Sequence, residues 1–265
     1  MDINILYAAL SLGVLGIIFG TALGYASDKF AIEVDPRVPK VREALPGANC
    51  GGCGFPGCDA FSEAVVNGEA KVNGCTVGGI KVANALGEIL GVKVEKAEKK
   101  VAFVNCNGNC SNKKIKLDTA AYNNCVDAHA NWDKIATGCS YSCLGLGTCV
   151  NVCKFGALDI VDGIAKVNEE KCVNCGACIK ACPKGLIESI PENKKVRVAC
   201  SSKDTGKIVR TNCSVGCIGC KICEKNCPHD AVHVNELLAK VDYNKCVNCG
   251  ICVEKCPTKA IRRVG

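Results

Sequence analysis

From Ile3 to Ser27 the chain reads INILYAALSLGVLGIIFGTALGYAS without one charged residue. That run of about 25 residues exceeds the ~20 needed to cross a bilayer, so a transmembrane helix is predicted over 1–27. A cleaved signal peptide would open on positive charge, whereas the early charge here is Asp2. No Lys or Arg precedes the run, and Lys29, Arg37, Lys40 and Arg42 follow it. This predicts a single pass of the cell membrane with everything beyond it in the cytoplasm. Gly16, Gly20 and Gly24 fall four apart on one helical face, a stripe that lets a partner helix approach closely. The pattern then turns polar, and 28–45, with Pro36 and Pro39, reads as a linker. Further on, KVAFVNC (100–106) and KVRVAC (195–200) alternate like short strands. ALDIVDGIAKV (157–167) reads as a hairpin turning at Asp162-Gly163, and AVHVNELLAKV (231–241) as a hairpin with a weaker turn signal.

Short strands and 12 aromatic residues (Phe 6, Tyr 5, Trp 1) make a poor core for 265 residues, so something besides apolar burial must hold the chain. Cysteine, at 25 residues, is the obvious filler. The count is odd, and Cys-x2-Cys recurs. A disulfide across that spacing is strained, whereas two sulfurs so spaced can face one metal group. Composition therefore favours metal thiolates in a reducing compartment over a secreted disulfide scaffold.

The cysteines fall into groups. TGCSYSCLGLGTCVNVC (137–153) lies without gaps on TNCSVGCIGCKICEKNC (211–227), and KCVNCGACIKACP (171–183) on KCVNCGICVEKCP (245–257). One unit, a strand-like lead-in followed by two cysteine runs, therefore occurs twice. The runs 172–183, 217–228 and 246–257 have the form Cys-x2-Cys-x2-Cys-x3-Cys-Pro. Three close thiolates cap three corners of one [4Fe-4S] cubane, and the fourth is carried to the neighbouring cluster. Zinc would need a tetrahedron of four and gives no reason for a third closely spaced cysteine.

Interleaving then assigns Cys217, Cys220, Cys223 and Cys256 to one cluster and Cys246, Cys249, Cys252 and Cys227 to its neighbour. In the first copy, Cys172, Cys175, Cys178 and Cys153 form a set. Its partner has only Cys143, Cys149 and Cys182, because Leu146 stands where the second copy has Cys220. Cys139 is the nearest spare thiol and is expected to complete it. An earlier group, PGANCGGCGFPGC…C, supplies Cys50, Cys53, Cys58 and Cys75 for a fifth site, with Asp59 expected to cap a short helix that Gly68 ends. Cys106, Cys110, Cys125, Cys200 and Cys213 remain, either as free thiols or as a sixth site using four of the five.

Five oxidised clusters with their thiolates, each at −2, would bring the formal charge of +7 to about −3, so the basic count does not point to nucleic acid. No GxGxxG follows a strand, no Walker lysine is present, and His129, His229 and His233 read as surface or packing residues. No catalytic residue is singled out, and no place for flavin, nicotinamide or substrate is seen. The chain is predicted to pass single electrons. A zinc-structured scaffold is the non-redox alternative.

A membrane helix, then PGANCGGCGFPGC…C, then tandem cluster modules, resembles the B-subunit family of Rnf complexes. The early group is also similar to the iron–sulfur domain of corrinoid iron–sulfur proteins. The resemblance covers almost the whole chain and implies an electron-relay subunit of a membrane ferredoxin:NAD+ oxidoreductase that couples electron flow to Na+ or H+ transport. It further implies soluble ferredoxin as donor and other membrane and flavin subunits as partners. Many family members carry one two-cluster module; this chain has two, and Leu146 departs from the pattern. The alternative is a polyferredoxin of a membrane hydrogenase or dehydrogenase, for which the PGANCGGC spacing has no evident use. The predicted class is α+β: transmembrane helix 1–27, linker 28–45, small helical cluster domain 46–95, strand-like lead-in 96–135, ferredoxin-like domain 136–190, second lead-in 191–212 and second ferredoxin-like domain 213–265, the last two domains built as βαβ repeats with two [4Fe-4S] clusters each.

Overall fold

In the computed structural model, residues 3–29, 35–94, 98–115, 117–135 and 138–264 are described, except for the side chains of 3–6, 8, 9, 27 and 28. Helix α1 spans Ile3–Lys29. Its described side chains run unbroken only over 10–26, and Leu12, Ile17 and Leu23 among them are exposed. The expected span 1–27 thus rests partly on residues outside those described. Among the described residues no helix is long and apolar enough to cross a membrane.

The segment expected as a linker is in part a helix. α2 (Arg37–Ala44) starts behind Pro36 and carries Pro39 in its first turn, where a missing N–H costs nothing. It buries Val41 completely and packs on α3 (Cys58–Val66) and α4 (Gly79–Leu90), with Leu45, Phe61, Val65 and Leu86 completing the core. Asp59 does not cap α3. The cap position is Gly57 in extended backbone, and Asp59, in the first turn, accepts from Arg42 Nε at 2.7 Å. Gly68 ends the helix as expected: it takes a left-handed φ of 78°, and its N–H donates to Val65 O.

The lead-in segments are integral to the cluster modules. β1 (Lys100–Val104) pairs with β4 (Ile187–Pro191), with Lys100 opposite Pro191 and Val104 opposite Ile187. Between them in sequence come α5 (Cys125–Ala130), α6 (Trp132–Ile135), α7 (Thr148–Asn151), the hairpin β2 (Leu158–Val161) and β3 (Ile164–Val167), and α8 (Ala177–Ala181). The second copy repeats this. β5 (Val196–Val198) pairs with β8 (Ile261–Arg263) around α9 (Gly206–Asn212), α10 (Ile222–Lys225), the hairpin β6 (Val232–Asn235) and β7 (Leu238–Val241), and α11 (Ile251–Lys255). Among the described residues every paired strand is antiparallel, so the expected βαβ repeat is realised as strand, helix, hairpin, helix, strand. Each module core joins strand residues to its own cysteines: Val101, Leu158, Ile164 and Ile187 with Cys143, Cys149, Cys172 and Cys178 in the first. In the second, Val196, Val232, Leu238 and Ile261 pack with Cys217, Cys223, Cys246 and Cys252.

The repeat extends to backbone conformation. Gly145 and Gly219 have φ 75° and 65°, Gly147 and Lys221 76° and 59°, Asn174 and Asn248 54° and 63°. Both hairpins turn through two left-handed residues, Asp162-Gly163 in one and Glu236-Leu237 in the other. At the seam between copies, Arg197 is wholly buried. Its Nη1 and Nη2 donate to the Glu169 carboxylate at 2.6 and 3.3 Å, and its guanidinium lies 5.1 Å from the Phe103 ring centroid.

Candidate iron–sulfur sites

Among the described residues no three His, Cys, Asp or Glu side chains form a group that could hold a single metal ion. Cysteines instead line five depressions among the described residues. All 25 are free thiols. A cubane, which takes one thiolate on each of four irons, suits a ring of four sulfurs.

The early loop and α3 bring Cys50, Cys53, Cys58 and Cys75 to one depression under Leu45 and Phe61. Gly51 and Gly54 take left-handed φ values of 70° and 91°, which lets the loop curl around it. Cys58 N–H is held by Asn49 Oδ1 at 2.8 Å. Burial pushes the Cys75 thiol up, countered in part by Gly78 N–H, which donates to its sulfur at 3.4 Å.

In the first module Cys153, Cys172, Cys175 and Cys178 share a depression floored by Ala102 and Leu158. Ala102 N–H donates to Cys172 Sγ at 3.3 Å and Ala157 N–H to Cys153 Sγ at 3.4 Å. Burial, then Cys172, Cys175 and Cys153, push the Cys178 thiol up to about 11. In the second module Cys217, Cys220, Cys223 and Cys256 share another. There burial, with Cys217 next, raises the Cys223 thiol to about 12. At Cys256 burial acts upward too, but donation from Ile261 and Thr258 N–H outweighs it and the net shift is downward. Cys227, Cys246 and Cys249 are the thiols that, after burial, raise Cys252 to about 11, so these four also lie together. Ala231 N–H donates to Cys227 Sγ at 3.3 Å, the counterpart of the Ala157 bond.

The remaining depression of the first module corrects the sequence reading. Cys143, Cys149 and Cys182 are joined there by Cys125, not Cys139. Cys125 opens α5, which Asn124 caps by accepting from Val126 and Asp127 N–H at 2.9 Å each. Cys125 N–H donates to Thr148 Oγ1 at 2.8 Å, fastening α5 beside α7. Burial, then Cys143, Cys125 and Cys182, push Cys149 up to about 12. Leu146 packs against Ala128, Ile135 and Leu144, the core of the α5–α6 segment. Nothing in cysteine spacing pointed to Cys125; the surplus chain between Cys106 and Cys139, set against the short stretch from Cys200 to Cys213, was the available signal.

Cys139 lies instead with Cys106, Cys200 and Cys213 in a depression between the two modules. Of the five cysteines without a place in the sequence reading, Cys110 alone stays outside these sets. It is exposed, sits against the Gly163 turn, and its N–H donates to Asp162 O at 2.9 Å. His233 is a surface residue near Asp230 and Glu224.

The early domain meets the first module at one close point. A Cβ placed on Gly52 would lie 3.0 Å from Cys175 Cα and 3.0 Å from Thr76 Oγ1, so the first loop of one site touches the backbone of a cysteine from another.

The donor sets fit iron–sulfur chemistry: sulfur only, buried or half-buried except at the exposed Cys220 and Cys249, with backbone N–H groups turned on several of the sulfurs. A model of an Fe-S cluster domain matches residues 45–77, and models of 4Fe-4S binding domains match 165–188, 239–262 and 216–234. The chain is 48% identical over 232 residues to the B subunit of the ion-translocating oxidoreductase complex of Methanosarcina acetivorans, covering 87% of this chain and 88% of that one. It is 47% identical to the B subunit of the Na(+)-translocating ferredoxin:NAD(+) oxidoreductase complex of Acetobacterium woodii, over 88% of this chain and 70% of that one. It is 40% identical to the proton-translocating counterpart of Clostridium ljungdahlii, over 86% and 81%.

Proposed function

The chain belongs to the B-subunit family of ion-translocating ferredoxin:NAD+ oxidoreductase (Rnf) complexes, and we propose that it carries single electrons from reduced ferredoxin to the other subunits of such a complex through [4Fe-4S] sites. It is an electron-transfer subunit of an oxidoreductase with 4Fe-4S domains. When bound, a [4Fe-4S] cluster supplies a one-electron carrier. The residues that would hold five of them are Cys50, Cys53, Cys58 and Cys75; Cys153, Cys172, Cys175 and Cys178; Cys125, Cys143, Cys149 and Cys182; Cys217, Cys220, Cys223 and Cys256; and Cys227, Cys246, Cys249 and Cys252.

The observation that carries this reading is the set of thiol rings combined with N–H donors at Ala102, Ala157, Ala231 and Gly78, which favour sulfur as thiolate. Gly52 adds continuity, because contact between the early loop and Cys175 leaves no room for a side chain between two sites. For α1 we propose a single-pass membrane anchor with the cluster domains in the cytoplasm. Exposed apolar side chains along 10–25 and the basic residues Arg37, Lys40 and Arg42 behind the helix support it. Other membrane and flavin subunits are the proposed acceptors, and Na+ or H+ transport belongs to the assembly.

The test is anaerobic purification of the chain from its native membrane. Co-purification with other subunits, iron at about 20 or more per chain with equal sulfide, and bleaching of the brown chromophore by reduced ferredoxin are expected. A colourless chain, a chain that reduced ferredoxin does not bleach, or one found only with hydrogenase subunits overturns the proposal.

A further inference from the structure

We propose that Cys106, Cys139, Cys200 and Cys213 form a sixth [4Fe-4S] site at the junction of the two modules. The inference rests on the cluster-carrying function above. The four thiols line one depression, as the thiols of four other sets each line theirs. Cys106 is close enough to Cys139, Cys200 and Cys213 to interact electrostatically with each.

The site is symmetric in a way that chance placement of spare thiols does not produce. Cys139 and Cys213 occupy equivalent positions of the repeat, and Cys106 and Cys200 each stand two residues past the end of a lead-in strand, β1 and β5. Equivalent donors also serve them. Cys143 N–H donates to Cys106 Sγ at 3.5 Å, and Cys217 N–H donates to Cys200 Sγ at 3.3 Å. Ser202 N–H adds a second bond to Cys200 Sγ at 3.5 Å. Each module thus contributes two sulfurs and a backbone donor from a cysteine of one of its own sites. Gly108 keeps the rim narrow: a Cβ there would lie 3.6 Å from Cys106 Sγ and 3.7 Å from Cys213 Sγ.

Hydrogen bonds across the junction hold the halves together. Lys113 Nζ donates to Cys143 O at 2.8 Å while its backbone bridges to Cys213. Lys114 N–H donates to Asn212 O and Ser214 N–H to Asn112 O, each at 3.0 Å. Through Cys143 and Cys217 the junction site adjoins one cluster set of each module, so it stands where the two halves of a relay would otherwise be separated.

The experiment is iron and sulfide analysis with EPR on the full chain, prepared anaerobically, beside Cys213→Ala, Cys200→Ala and Cys110→Ala. Expected are about 24 iron in the native chain, about 20 in the Cys213 and Cys200 variants, or about 23 with a three-iron EPR signal, and about 24 in the Cys110 variant. About 20 iron in the native chain, or an unchanged count in both junction variants, overturns the junction site and leaves the electron-relay function standing. A native chain without iron overturns both. Should a junction variant lose all its iron, alkylation of the native holo-chain decides: modification of Cys110 with protection of Cys106, Cys139, Cys200 and Cys213 supports the site, and modification of those four overturns it.

Discussion

Replacing Cys125 by Ala should remove one cluster from the first module, and adding Leu146→Cys should restore it. The reasoning starts from equivalence. Gly145 and Gly147 take φ values of 75° and 76°, against 65° and 59° at Gly219 and Lys221. Residue 146 therefore rides on the same backbone loop as Cys220, and a thiol there would face the depression of Cys143, Cys149 and Cys182 as Cys220 faces that of Cys217, Cys223 and Cys256. The magnitude is about four iron per chain lost in Cys125→Ala, or about one if a three-iron form survives, and recovery to the native count in the double variant. The exchange at 146 has a cost of its own. Leu146 is half-buried against Ala128, Ile135 and Leu144, and trimming it to Cys should lose about 1–2 kcal/mol of packing. That loosens α5 without unfolding the module, whose core lies at Val101, Leu158 and Ile164. Iron and sulfide analysis with EPR reads all three chains. Retention of the full count in Cys125→Ala, or loss of this cluster in Cys139→Ala instead, would refute the assignment.

Four further outcomes follow from other contacts. Gly52→Val puts a side chain where a Cβ alone already meets Cys175 Cα at 3.0 Å, so the iron count should hold while stopped-flow reduction shows the early site and the first module exchanging electrons at least tenfold more slowly; unchanged kinetics would remove the early loop from the path. Arg197→Met removes the partner that held Glu169 at 2.6 Å but leaves it Lys195 at 3.7 Å and partial exposure, so it should cost about 1.5–3 kcal/mol, read as a cluster-loss half-life in urea several-fold shorter; Glu169→Leu added to it should recover part of the loss. Leu237→Gly relieves a left-handed Leu with φ 64° and should lengthen the same half-life, by an amount corresponding to about 0.5–1 kcal/mol, whereas Gly163→Leu in the other hairpin should shorten it. A reporter fused after Gly265 should behave as cytoplasmic, and Gly20→Leu should weaken assembly with partner subunits while leaving membrane insertion intact; a periplasmic reporter would reverse the proposed orientation.

What could be read from sequence was what is local in it. The three Cys-x2-Cys-x2-Cys runs place their thiols within one or two turns of chain, and two of the sets drawn from spacing, Cys153 with Cys172, Cys175 and Cys178 and Cys217 with Cys220, Cys223 and Cys256, share depressions, whereas the set drawn with Cys139 does not. The hairpins were visible through alternation, although Glu236-Leu237 turns with residues that a turn of two left-handed positions does not favour. The helix at Arg37–Ala44 was hidden by its prolines, which suit a first turn as well as they suit a tether, and by having Val41 as its one fully buried anchor. The partners of the lead-in strands lay beyond reach: Val101 meets Ile190 and Val198 meets Ile261, pairings closed over most of a module. Cys125 was missed for the same reason, since only tertiary packing of α5 beside Thr148 brings it to the gap at 146.

The exchange of roles between Cys125 and Cys139 has a structural logic that the repeat exposes. A gapless alignment says which residues are equivalent and is silent on where the two copies touch. Cys139 and Cys213, read singly, are a spare thiol and a surplus one, and proximity in sequence draws Cys139 to the nearest incomplete set. When two copies pack with their equivalent faces together, residues with no use within a copy meet their own counterparts. Cys139 then shares a depression with Cys213, and Cys106 with Cys200. With Cys139 placed at the junction, the gap opposite Leu146 is filled from elsewhere, and the first copy alone has the chain to do so: α5 lies between Cys106 and Cys139 in addition to α6, whereas the stretch between Cys200 and Cys213 carries only α9, which falls on α6 in the repeat. Leu146 serves as the apolar contact that seats that segment against Ala128 and Ile135. The missing ligand and the added segment are therefore one feature: where the second copy takes its thiol from the loop at 220, the first uses the same loop position to hold the helix that brings a thiol in.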